Sequence, residues 1–124
     1  MNQKDTYWIY LLVCSNNAYY AGFTKDLALR FKKHVTGKAG SKYTRSFQPT
    51  KIVQSWCIHE SMGKALKVEQ LIKKLSRKMK TKIIENPLEL KTLIQQRLQM
   101  NMEIVPVKPA DLQELNKDVG KNSC

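Results

Sequence analysis

The chain has 124 residues, 42% of them hydrophobic and 26% charged, which suffices for one modest core and is short for two ordinary domains. Its net charge of +12 is one-sided: residues 1–84 hold 17 Lys/Arg against 4 Asp/Glu, and residues 85–124 hold 5 against 6. That bias disfavours cationic partners and favours a polyanion, whose phosphates release counterions when neutralised. A membrane surface would instead call for a basic, strongly amphipathic helix or a lipid anchor.

The first predicted element is a hairpin. Tyr7 to Val13 and Ala18 to Phe23 are rich in β-branched and aromatic residues, and Ser15-Asn16-Asn17 between them is a turn signal. Register decides what this hairpin can do. A three-residue connection, 15–17, sets Leu12 opposite Tyr20 and Tyr10 opposite Gly22, so both tyrosines share a face; an even count would separate them. Thr24 is a candidate cap for a helix from about Lys25 to Val35, with Leu27, Phe31 and Val35 as its buried stripe. Arg30 and His34, four apart, flank that stripe and can border the sheet without entering the core.

Thr36 to Pro49 reads as a loop rich in glycine, serine and lysine. It lacks the glycine that a Walker-type phosphate loop needs four positions before its Gly-Lys pair. Ile52 to Ile58 is a third strand. Ser61 can cap a helix with Ala65, Val68, Ile72, Leu75 and Met79 along one side. Pro87 punctuates the chain, Leu90, Ile94 and Leu98 predict a further amphipathic helix, and a short helix can follow Pro109. Val105 to Pro109 is too proline-rich for a central strand. The predicted division is a domain over 1–86 and a helical C-terminal extension over 87–124.

Glu69 is the sharpest single group. At 100° per residue it falls about 40° from Ala65, inside the apolar arc, while Lys64, Lys67, Lys74 and Lys78 lie opposite. A carboxylate on a buried stripe is costly unless it is ion-paired, hydrogen-bonded or bound to metal. A structural ion pair with Arg30 or a lysine accounts for it as well as a metal does. Arg30 is suited to gripping phosphate through its planar fork, although an exposed helix arginine is the commoner case. His34 can shuttle a proton, or simply be a hydrogen-bonded helix residue. Tyr10 and Tyr20 can be plain sheet packing; as bases they need help, since an unperturbed phenol titrates near about 10. Cys14, Cys57 and Cys124 form no Cys-x-x-Cys, and neither His34 nor His59 stands at zinc-ligand spacing from them. Reduced thiols in a soluble cytoplasmic protein are expected, and the apolar run Tyr7–Cys14 is too short to span a bilayer.

Taken together, Trp8-Ile9-Tyr10, Tyr20-Ala21-Gly22, Arg30 with His34, the Lys42-Tyr43-Thr44-Arg45 loop and Glu69 followed by Ile72-Lys73-Lys74-Leu75-Ser76 resemble the GIY-YIG endonuclease superfamily. Within it the chain resembles the small stand-alone bacterial (YhbQ-like) branch, from about Tyr7 to Glu85. Trp8 replaces the glycine of the first motif, and Ala21 the isoleucine of the second. Asn86 is the nearest candidate for a late asparagine found in many relatives.

The resemblance implies an α/β (α+β) fold, a three-stranded antiparallel sheet flanked by helices, and one divalent ion, Mg²⁺ or Mn²⁺, held by Glu69. It implies that Tyr10, Tyr20, Arg30, His34 and Glu69 are catalytic. Either tyrosine could be the base that activates water, with Tyr10 preferred. Gly22 would admit a close backbone, and Lys25, Lys32, Lys33, Lys38, Lys42 and Arg45 would track the flanking phosphates. The expected activity is metal-dependent hydrolysis of DNA phosphodiesters, directed by structure or backbone because no sequence-reading module accompanies the domain. RNA is the other nucleic acid such a site could take. The alternative reading is a nucleic-acid-binding protein on the same fold that cuts weakly or not at all. A third is a protein-interaction role for the near-neutral segment from Pro87 onward.

Overall fold

The computed structural model describes residues 3–36 and 46–122, without the side chains of 118–122. Four strands form one antiparallel sheet: β1 (Asp5–Cys14), β2 (Tyr19–Thr24), β3 (Pro49–Glu60) and β4 (Ile104–Pro106), in the order β2-β1-β3-β4. The helices are α1 (Leu27–Val35), α2 (Met62–Lys74), α3 (Arg77–Glu85), α4 (Glu89–Leu98) and α5 (Pro109–Asn122).

The hairpin has the predicted register. Cys14 and Ala18 close a three-residue turn through Cys14 N–H to Ala18 O (2.9 Å) and Asn17 N–H to Cys14 O (2.8 Å). Tyr10 therefore pairs with Gly22, and Leu12 with Tyr20. The turn works because its third residue, Asn17, adopts a left-handed φ of 65°, which asparagine tolerates better than most side chains.

Alternation along β1 sends its residues into two cores. Tyr7, Ile9 and Leu11 join Trp56 and Ile58 against α2, α3 and α4, through Ala65, Val68, Ile72, Ile83, Leu90 and Ile94. Tyr10 and Leu12 join Ile52 against Leu27 and Phe31 of α1 and Leu112 of α5. The helices thus lie on both faces of the sheet.

Four expectations are corrected. The sheet has four strands rather than three, because Ile104–Pro106 pairs with β3; a proline is tolerated there because an edge strand leaves one side of its backbone unpaired. Asp26, two residues beyond Thr24, caps α1 by accepting from Leu29 N–H (3.1 Å), while Thr24 Oγ1 accepts from Asp26 N–H (3.1 Å). The long helix carrying Glu69 breaks at Leu75–Ser76, both in extended conformation, and Ser76 caps a new helix by accepting from Met79 N–H. His34 does not border the core but lies inside it, with none of its surface exposed. Among the described residues no helix is long and apolar enough to cross a membrane.

Candidate active site

Five predicted residues meet where β1, β2, α1 and α2 adjoin. Tyr10 comes from the middle of β1 and is 2% exposed. Its hydroxyl lies 2.9 Å from His34 Nε2, one helix turn beyond Arg30 on α1. The His34 ring stands edge-on to both tyrosines, with centroids 5.7 Å from Tyr10 and 5.2 Å from Tyr20. Opposite Tyr10 on β2, a Cβ on Gly22 would stand 2.5 Å from Tyr10 Cζ and closer still to the hydroxyl. Gly22 is itself buried, and the space left by its missing side chain holds the Tyr10 ring.

These surroundings set the protonation states. Burial, reinforced by the Arg30 charge, pushes the His34 pKa down to about 4, so the imidazole is neutral at pH 7. Burial pushes the Tyr10 pKa up to about 12, against the pull of the Arg30 guanidinium and with smaller upward contributions from Tyr20 and Glu69. The phenol therefore holds its proton at rest. Arg30 is half-buried, and its Nε is a buried donor with no acceptor among the described residues. A buried N–H without a partner is uncommon, and an anionic oxygen would satisfy it.

Glu69 lies on the inward side of α2, which packs against β2 and β1. It is 8% exposed, and its Oε1 accepts from Lys73 Nζ at 2.7 Å. Lys73 Nζ in turn lies 6.0 Å from the centroid of the Tyr20 ring. Spacing alone could have revealed Lys73, since it follows Glu69 by four residues on the same helix face. Among the described residues no three His, Cys, Asp or Glu side chains cluster to cage an ion. One carboxylate suits Mg²⁺, which keeps several waters and uses substrate phosphates as further ligands. The donor set therefore fits a hydrated ion at Glu69.

The expected phosphate-tracking residues divide. Lys25 is ion-paired with Asp5 at 2.8 Å, and Lys32 and Lys33 are exposed on α1. Lys38, Lys42 and Arg45 fall outside the described residues. Asn86 is exposed and ends α3, where its backbone joins the turn into α4. A cavity of about 670 Å³ elsewhere, lined by Trp8, Leu27, Cys57, Val107 and Leu115 among others, includes none of the five site residues.

Residues 6–82 match the family described as the GIY-YIG catalytic domain. Among curated proteins, the chain is similar to a UPF0213 protein of Halalkalibacterium halodurans, 37% identical over 78 residues, covering 63% of this chain and 81% of that one. It is also similar to a UPF0213 protein of Syntrophus aciditrophicus, 40% identical over 81 residues, covering 64% of this chain and 92% of that one. Among solved structures, the solution NMR structure of the UPF0213 protein from Bacillus halodurans is 36% identical, covers 65% of this chain and 84% of that chain, and superposes with a TM-score of 0.42.

Proposed function

From the premise that this chain belongs to the GIY-YIG family of catalytic domains, we propose that it is a metal-dependent endonuclease of the cytoplasm. Family membership implies nuclease activity and a nucleic-acid substrate in general terms. The finer reading is hydrolysis of DNA phosphodiesters, directed by backbone or structure rather than by sequence. The observation that carries it is the convergence of a hydrogen-bonded phenol and imidazole, Tyr10 and His34, with Arg30, whose buried Nε has no acceptor among the described residues.

Arg30 binds the scissile phosphate and offsets the charge that builds on it. A divalent ion held by Glu69 would neutralise phosphate charge and stabilise the leaving oxygen. Tyr10 takes the proton of the attacking water at its hydroxyl oxygen while passing its own proton to His34 Nε2. This relay suits a phenol with a pKa of about 12, because no standing phenolate is needed. His34 becomes an imidazolium only as negative charge accumulates on the phosphate. Tyr20, packed against the same imidazole, limits where the water can sit.

A second reading, binding without cleavage, draws support from the Lys73 ammonium already on the Glu69 carboxylate. Incubating the purified protein with labelled branched, single-stranded and duplex DNA, with Mg²⁺ or with chelator, separates the two. The endonuclease reading expects strand cleavage that chelator and Glu69→Ala both abolish. Tight binding with no cleavage in Mg²⁺ or Mn²⁺ would leave the second reading standing.

A further inference from the structure

Charges that the proposed chemistry leaves unused gather along a free edge of the sheet. β2 is one of its two edge strands, and neighbouring Tyr19 and Tyr20 point to opposite faces. Lys73 lies over the Tyr20 ring at 6.0 Å, and the Arg77 guanidinium lies over the Tyr19 ring at 4.4 Å. Arg77 also donates to the Asn17 carbonyl in the hairpin turn, and the Tyr19 hydroxyl lies 3.4 Å from Thr81 Oγ1. The guanidinium is thereby fixed in place. Lys80 is half-buried one turn later, where burial and then the Arg77 charge draw its pKa below the ordinary lysine value.

Lys73 already meets the Glu69 carboxylate at 2.7 Å, but among the described residues nothing neutralises the other two. Lys25, Lys64, Lys82 and Lys91 each have a carboxylate within 4 Å, whereas among the described residues Arg77 and Lys80 have none. Nor do they steady their own helix. The first turn of α3 contains no acid, and cations are least favoured at that end. Two like charges held close, one of them partly desolvated, are relieved by an external anion.

We propose that the β2 edge, from Lys73 through Arg77 to Lys80, seats phosphates of the strand that flanks the cleaved bond. This deepens the nuclease reading and rests on it. A pre-positioned guanidinium loses little freedom in gripping a phosphate. The strand leaves the Arg30 site across the α2–α3 junction, away from Lys25, whose charge Asp5 already meets.

Binding of a fluorescein-labelled duplex, followed by anisotropy across a salt series in chelator, tests the path. Lys80→Gln and Arg77→Gln should each weaken binding about fivefold and lower the slope of log affinity against log salt by about 0.9. Arg77→Lys should keep the slope because it keeps the charge, and Lys91→Gln, on α4 where Glu103 already meets the lysine, should leave binding unchanged. Lys80 makes none of the anchoring hydrogen bonds, so its variant decides even where Arg77→Gln does not fold. An unchanged slope in Lys80→Gln, with the wild type still salt-sensitive, would overturn the path alone. A flat slope in the wild type would instead bring down the nucleic-acid reading, and the path with it.

Discussion

The two halves of the site are built on opposite principles. The Tyr10–His34 half is closed: both side chains are almost wholly buried, uncharged at neutral pH and joined by one 2.9 Å hydrogen bond. The Glu69–Lys73 half is charged and opens to solvent through its lysine: the carboxylate is buried, but the lysine side chain on it is 49% exposed and close to Tyr20. Low dielectric around the first half holds protons where they are, and water around the second lets charges exchange partners cheaply. Proton transfer belongs in the closed half, and the arrival of ions and phosphates in the open one.

That contrast can be broken at either end. Glu69→Ala should have the largest effect, slowing cleavage by at least about 10³-fold, or ~4 kcal/mol in the barrier. Thermal unfolding should barely change, because the lost partner is a half-exposed lysine. A cleavage time course at saturating Mg²⁺, paired with a melt, reads both.

Acid should expose the closed half next. The folded His34 pKa of about 4 lies below the unfolded value near 6.5, so the unfolded chain binds the extra proton first. The stability contributed by neutral His34 is complete above about pH 6.5 and is lost as pH falls towards 4, by about 3 kcal/mol in all. Urea unfolding at pH 7 and 4.5 should show this loss in the wild type and a smaller one in His34→Gln. An identical loss in both would refute the buried neutral imidazole.

Gly22→Ala should cost about 1–3 kcal/mol, because its Cβ would collide with the Tyr10 ring. Tyr10→Phe, which removes the nearest atom, should recover part of that cost in the double variant. Smallest of all, Lys73→Ala should shift stability by less than about 1 kcal/mol, in keeping with the open half.

Features set by neighbours in the chain were the legible ones. The hairpin register followed from counting Ser15-Asn16-Asn17, and the Ser61 cap and the α2 stripe from local spacing. Ser76 was harder to read. The apolar period runs on through Leu75 to Met79, and only the serine's side-chain competition for the backbone shows where the helix restarts. The burial of His34, which the sequence marked only as a site residue flanking the core, and the strand β4 were not legible. A histidine enters a core only when some distant group, here the Tyr10 hydroxyl, satisfies its ring nitrogen. Val105-Pro106 becomes a strand only because β3 offers it an edge.

Asn116, on α5, extends one further thread. Its side-chain amide accepts from Ile52 N–H at 2.8 Å and donates to Ile52 O at 3.1 Å, standing in for a neighbouring strand where three-residue β4 does not reach. The carboxy-terminal helix thus seals a stretch of sheet that would otherwise be adhesive. A chain cut before Pro109 would keep every catalytic side chain yet bare that seam, and should self-associate through it.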